Sequence, residues 1–524
     1  MKKIIINGND LCIEDVCDVA YNKTEVHLSE DKDFLDTLLK SRQFLMDYIA
    51  KGYPTYGVTT GFGDSCANQI SPEKAAALQK SIVSYHGIGL GEKFTHDEGR
   101  AIVLCRLNSD VKGGHSAIRL ELARMLETLL NKDIIPVIPH LGSVGASGDL
   151  TPLSYLGAVI MGERKVYYKG KIVSTMEAFN AEGIKPLPLA AKEGLAIMNG
   201  TSVMTAIASL AWKKAERLAN ISDFITAATS EIMRGKEVPF RRKVSEIKNH
   251  PGQIESSEYI YNIVKDSKRV YKYEEFLKEM GALEGKGYQK RDKKIQDRYS
   301  IRCAPQITGV LRDTLHFTRD WIEQEINSAN DNPLVDIESG SLFNTGNFYG
   351  GHICAVSDYL RIALANISDL ADKQAEVIID GKFNGLTENL IPWTKDDDEQ
   401  AGLRFGFKAA QITISAIRGE VQTYCSPVSI TSSPTEALNQ DKVSMGTISA
   451  RKLSEQIDLI YLQFATHILA VCQAVDLVGE KEFSPFTQKV HSEVRKMSAF
   501  VQDDRALDEE ATEVAEWLKK TVLF

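Results

Sequence analysis

The sequence predicts a mainly α-helical fold: a bundle of long central helices with a smaller mixed region at the N-terminal side. Three observations predict it. Apolar residues recur at 3.6-residue spacing over several long stretches. Strand signals are few. Three of the helical stretches are well above average length and rich in Ala, Leu and Ile on more than one face, so they have to be covered on most sides. With 524 residues, 43% apolar and 25% charged, the chain suffices for a large core and more than one structural region. The expected organisation is an N-terminal region over 1–200, a central long-helix bundle over 201–480 and a C-terminal helical segment over 481–524 that packs on the bundle.

Taken in order, MKKIIINGNDLC opens with a short strand; its apolar run is too short for a signal peptide and is interrupted by Asn7, Asn9 and Asp10. This predicts a cytoplasmic protein. Helices are expected over 33–51 and 116–132, and a surface hairpin over KVYYKGKIV, 165–173, around Lys169-Gly170. The long stretch 193–234 reads as one continuous helix, and 354–380 and 443–478 as two more. Segment 459–478 approaches membrane-spanning length but carries Gln463, His467, Gln473 and Asp476, so it reads as a buried helix of a soluble protein. Eight scattered cysteines without C-x-x-C spacing suggest neither a metal site nor a disulfide framework. A net charge of -9 without a long basic run argues against nucleic acid and leaves a small molecule as the expected partner.

Between the helices lie loops rich in glycine and polar residues, where a helical protein places its chemistry. The most unusual is GSVGASGDLTPLS, 142–154, in which small residues crowd the approach to a helix. A nucleophile elbow needs G-x-S-x-G after a strand; Gly145-Ala146-Ser147-Gly148 is one residue short, and no strand is expected before it. A phosphate loop lacks its lysine. Two readings stay open. In the first, Ser147 or Asp149 caps the helix that follows, with Pro152 in its first turn. In the second, the smallness lets the backbone close on itself: the Gly148 nitrogen meets the Ala146 carbonyl carbon with loss of water, and a second water lost from Ser147 leaves a methylidene electrophile.

At this point the residues resemble a known family. Ala146-Ser147-Gly148 is similar to the self-cyclising triplet of the aromatic amino acid ammonia-lyases and related aminomutases, which carry 4-methylideneimidazol-5-one (MIO) and need no external cofactor and no metal. The likeness runs through nearly the whole chain. TYGVTTGFGD, 55–64, resembles the loop whose tyrosine is the catalytic base, a place held by Tyr56, with its phenol pKa expected to be lowered toward working pH. LQKSIVSYHGIGLG, 78–91, resembles the ring-selectivity helix, placing Tyr85 and His86 at the substrate ring. EGLAIMNGTS, 193–202, puts Asn199 against the MIO ring or the substrate amine. In QDRYSIRCAPQ, 296–306, the resemblance makes Gln296 a polar site residue, Tyr299 a second tyrosine holding the site, and Arg302 the ligand of the substrate carboxylate, a task that suits its planar fork.

SANDNP and TGNFYGG place Asn330 near that carboxylate and Phe348 beside the MIO ring, while Glu420 and Gln440 occupy the late polar positions. The resemblance implies a fumarase/aspartase-like helical architecture with MIO in the N-terminal region, and homotetramers whose active sites draw on three subunits. It implies elimination of ammonia from an aromatic L-amino acid. His86 and Glu420 favour a ring with a polar edge, since a phenyl ring would leave both unpaired; histidine is expected slightly ahead of tyrosine. The alternatives are a tyrosine or phenylalanine lyase, a 2,3-aminomutase sharing the same residues, and a helical binding protein descended from such a lyase.

Overall fold

The computed structural model describes residues 3–285, 287–395 and 397–524. It is mainly helical, with the longest helices at Ser202–Ile232 (31 residues), Gly351–Ile379 (29) and Gly446–Val478 (33). The strands among the described residues run two to four residues and form four small sheets. The opening strand is present at Lys3–Ile6, parallel to Glu25–Leu28. The surface hairpin is present too, Lys165–Tyr168 against the largely exposed Lys171–Ser174, and Ile135–Pro136 pairs with its first strand as a third.

Two of the early helices start at side chains that satisfy their first amides. Asp31 accepts from Phe34 N ahead of Lys32–Ala50, and Thr95 with Glu98 forms a capping box ahead of His96–Val111. The helix expected over 116–132 begins later, at Leu120, because Ala117 is left-handed (φ 50°) and the Arg119 amide donates to Glu193 Oε1 at 3.0 Å. The stretch 193–234 is not one helix. It breaks into Glu193–Met198 and Ser202–Ile232, with Asn199 extended between them. A strand also precedes the small-residue loop, contrary to expectation: Pro139–Leu141 pairs antiparallel with Leu90–Lys93.

The chain divides into two compact units, each assembled from three separate segments. The first is Met1–Lys213, Thr318–Asp358 and Pro427–Ser454; the second is Lys214–Phe317, Tyr359–Ser426 and Glu455–Phe524. They differ from the consecutive segments 1–200, 201–480 and 481–524, since each gathers stretches hundreds of residues apart. In the first unit, His96–Val111 is buried on all sides from Gly99 onward, carrying Arg106, Asn108 and Asp110 into the interior.

Helix Gly446–Val478 is long and apolar enough to cross a membrane, but 78% of its apolar window is buried inside the protein. Two of its buried amides are hydrogen-bonded: Gln463 Nε2 donates to Ser368 O, and Gln473 Nε2 to Leu390 O and Val501 O. His467 on the same helix is fully buried, and neither ring nitrogen has a hydrogen-bond partner among the described residues. Burial pushes its imidazole down to about 3 from 6.5. Between those values the unfolded chain binds a proton that the folded one does not, so stability falls as pH drops through this window, at roughly 1.4 kcal/mol per pH unit at the steepest. His467→Leu is therefore expected to flatten the dependence of the thermal midpoint on pH below about 6. Parallel curves for the two proteins would rule this origin out.

Candidate functional site

The loop after Pro139–Leu141 is wedged between two segments far away in sequence. Its Val144 and Gly145 carbonyls accept from Met445 N and Ser444 N at 3.0 and 3.2 Å. Ala146 packs with Cys354, Val443 and Met445. On the other side, Gly200 N donates to Ser147 O at 3.1 Å and Asp149 N to Gly200 O at 2.7 Å. Gly148 lies so close to this strand-like bridge that an added Cβ would fall 1.9 Å from Gly200 O, and its φ is +70°. Small side chains are thus required by contact.

This docking explains the helix break. To face Gly148, Gly200 adopts φ +146°, and a Cβ on it would meet Arg106 and Asn330 at 2.2 Å. Helical periodicity on either side cannot override that contact. It also reassigns Asp149. The helix Thr151–Ile160 does have Pro152 in its first turn, but its cap is Leu150, without a side-chain hydrogen bond. Neither Ser147 nor Asp149 caps it. The Asp149 carboxylate instead accepts from Val203 N (2.7 Å) and Met204 N (3.3 Å), opening Ser202–Ile232, and from Thr447 Oγ1. Full burial pushes this carboxyl up to about 7, with the Thr447 hydroxyl and the two amides pulling the other way.

Asn199, extended at the break, is held by a buried polar network. Arg106 donates to its carbonyl at 2.9 Å and is paired with Asp110 at 3.0 Å. Its Nδ2 donates to Asp331 Oδ1 at 3.2 Å and Asn332 O at 3.0 Å. Asp331 is ion-paired with Lys192, both fully buried. Asn330 belongs to this network: Oδ1 accepts from Thr201 N at 3.3 Å and Nδ2 donates to Ser328 at 3.1 Å.

A cavity of about 330 Å³ opens over this floor, lined by Tyr56, Tyr85, His86, Ala146, Ser147, Gly148, Asn199 and Gln440 together with Thr435 and Glu436. Tyr56 Oη accepts from Gly63 N at 3.0 Å. The expected lowering of this phenol is not met within the chain: burial raises it, and the Gly63 amide only partly opposes that. His86 Nδ1 lies 3.2 Å from Thr151 Oγ1, and burial pushes its imidazole down to about 4, so it is neutral at pH 7. The Tyr85 ring stacks beside it at 4.6 Å. Gln440 Oε1 accepts from Thr435 Oγ1 at 2.7 Å, which leaves its NH₂ as the free end. Phe348, half-buried, and Asn330 do not line the cavity.

Glu436 escaped sequence reasoning. Both its oxygens accept from Asp64 N, at 2.9 and 3.0 Å, so it grips the turn that carries the Tyr56 hydrogen bond. No spacing or motif signals it; the contact spans 372 residues.

The remaining site residues lie in the second unit. Gln296 and Arg302 line a cavity of about 360 Å³ with Lys236, Tyr273 and Gln306. The Arg302 guanidinium sits over the Tyr299 ring at 4.5 Å, its Nε buried without a partner, while Tyr299 is 71% exposed. Glu420 is exposed on the helix Lys408–Thr423.

The family model for aromatic amino acid lyases matches residues 11–496. A histidine ammonia-lyase of Alkaliphilus oremlandii is 36% identical over 507 residues, 97% of this chain and 95% of the relative. A tyrosine 2,3-aminomutase of Chondromyces crocatus is 36% identical over 506 residues, 96% of this chain and 94% of the relative. Among solved structures, a tyrosine aminomutase from Streptomyces globisporus superposes with a TM-score of 0.92 at 34% identity, covering 99% of this chain and 97% of that one. The chain therefore belongs to the aromatic amino acid lyase family and is an enzyme, a carbon–nitrogen lyase.

Proposed function

We propose that the protein eliminates ammonia from an aromatic L-amino acid to give the trans α,β-unsaturated acid, with histidine slightly preferred over tyrosine, and that it does so with MIO formed from Ala146, Ser147 and Gly148 and no external cofactor. The observation that carries this reading is the packing of that triplet at the floor of the cavity that Tyr56 lines. The residues fit the group. Gly148 is pressed against Gly200 where a Cβ has no room, the close backbone packing that a cyclised triplet needs.

Once formed, the ring supplies an electrophile that no ordinary side chain offers. The chain's own residues do the rest. Tyr56 acts as the phenolate, which the Gly63 N–H steadies, and its Oη takes the β-proton to become the neutral phenol. Asn199 and Tyr299 hold the reacting end and the developing charge. Arg302 binds the carboxylate, and Asn330 supports the carboxylate end from the buried network beneath Asn199. Among the described residues no lysine or arginine lines the Tyr56 cavity; the proposal assigns that cation to Arg302 of another subunit, in a homotetramer whose active sites draw on three subunits. Tyr85, His86 and Gln440 face the substrate from the cavity wall, and Gln296, Phe348 and Glu420 are assigned to it from neighbouring subunits. The histidine preference rests on neutral His86 and on Glu420, groups that a polar ring edge would satisfy. The enzyme is read as cytoplasmic, acting on a free amino acid.

A second reading, an aromatic 2,3-aminomutase, is favoured by one observation: a tyrosine 2,3-aminomutase matches as well as the lyases do, at 36% identity. One experiment separates these. The intact mass of the purified protein is expected to be two waters below that of the sequence. L-histidine, L-tyrosine and L-phenylalanine are then supplied in turn while ultraviolet absorbance follows the unsaturated product, with histidine expected fastest. A mass equal to the uncyclised chain overturns the MIO reading; accumulation of β-amino acids in place of free ammonia establishes the mutase.

A further inference from the structure

The way Asn199 is held leaves one end of its amide empty. Nδ2 spends its hydrogens on Asp331 Oδ1 and Asn332 O. Oδ1 has no hydrogen-bond partner among the described residues, although Asn199 is only 2% exposed and lines the cavity. Turning the amide over would set its oxygen against a carboxylate and a carbonyl, so the arrangement has one stable sense. Asp331 is kept in place as an acceptor by Lys192, whose Nζ also donates to Ser116 O at 3.1 Å. Lys192 sits at the start of the short helix Glu193–Met198, which ends on Asn199. A buried ion pair is weak evidence of stabilisation, because desolvation offsets its attraction; its use here is directional.

We infer that Lys192 and Asp331 are positioning residues that fix the polarity of the Asn199 amide, so that Oδ1 faces the cavity and accepts an N–H from the substrate's α-ammonium group. The inference rests on the amino acid substrate proposed above and adds the device that orients it. An acceptor oxygen at this place repels the carboxylate and selects the one donor every α-amino acid carries.

The test is a binding measurement that turnover cannot confuse. In a Ser147→Ala background, L-histidine and L-tyrosine are titrated calorimetrically, as are the two amine-free unsaturated acids derived from them, which keep the ring and the carboxylate. The same titrations are made after adding Lys192→Met and Asp331→Asn together, a pair of changes that leaves no lone buried charge. The added pair is expected to weaken the amino acids by about 10-fold or more, the worth of one charge-assisted hydrogen bond, and the amine-free acids by less than about 2-fold. Equal weakening of both ligand classes, or none, overturns the inference. If the parent Ser147→Ala protein binds neither class, the substrate reading itself falls, and this inference with it. Should the paired change not fold, Lys192→Gln with Asp331→Asn keeps a hydrogen-bonding side chain at both places without a lone buried charge, presents Asn199 with an amide of either sense, and is expected to shift the ratio in the same direction; an unchanged ratio overturns the inference.

Discussion

Replacing Ser147 by alanine is expected to lower kcat by at least about 10³-fold while moving Tm by no more than about 2 °C. The two halves have different origins. The Ser147 side chain is half-buried and makes no hydrogen bond among the described residues; it is the Ser147 carbonyl that receives the Gly200 amide. Alanine keeps that carbonyl, so the loop stays docked. Under the proposed function it lacks the hydroxyl whose loss creates the methylidene, and the mass deficit of the parent should shrink accordingly. Retained turnover in Ser147→Ala would refute the proposed electrophile outright, since no neighbouring side chain on the cavity wall can replace it.

Gly148→Ala is expected to act on the fold itself, destabilising it by roughly 3 kcal/mol or more and removing activity as well. The added Cβ would lie 1.9, 2.2 and 2.7 Å from the O, C and Cα of Gly200. All three are backbone atoms, so no side-chain tip can swing aside, and relief has to come from opening the Asp149–Gly200 and Gly200–Ser147 hydrogen bonds. A left-handed φ adds a cost of its own, about 1 kcal/mol. Gly170→Ala is the control that separates the terms: φ there is +74° but nothing lies within 4 Å. Thermal or denaturant unfolding of the two variants should differ by about 2 kcal/mol or more. Equal losses would mean that the contact with Gly200 carries no energy and that only the backbone angle matters.

The sequence made the long helices legible because their apolar spacing is a local property, and Gly351–Ile379 and Gly446–Val478 lie within three residues of where that spacing puts them. It made the small-residue loop legible as an anomaly. Its partners were harder to see. Residues 193–234 carry an uninterrupted helical pattern, yet the chain breaks at Asn199, because a contact with Gly148, fifty residues earlier, outweighs the hydrogen bonds a continuous helix would make there. Asp149 looks like the cap of the helix that follows it; it caps one that begins at Ser202, and the sidedness of a carboxylate is invisible without the fold. Glu436 lies in a run of left-handed residues, Glu436 to Leu438, with no composition that marks it. Of the motif residues in the first unit, Tyr56, Tyr85, His86, Ala146, Ser147, Gly148, Asn199 and Gln440 line one cavity, while Asn330 and Phe348 do not.

The bridge between Gly148 and Gly200 also bears on when the loop takes its shape. Residues 142–150 hold only part of their conformation themselves, through Ser143 Oγ with Gly145 N and Gly148 O; the rest they borrow from Gly200, about fifty residues later, and from a segment at 444–447. During synthesis, a ribosome that has released Ser147 has delivered every atom of the triplet and none of the surfaces that press it into a turn. A fragment ending before Gly200 should therefore hold the residues in an ordinary extended loop. The turn becomes available only after the late segment has docked, which makes its geometry a checkpoint of completed folding.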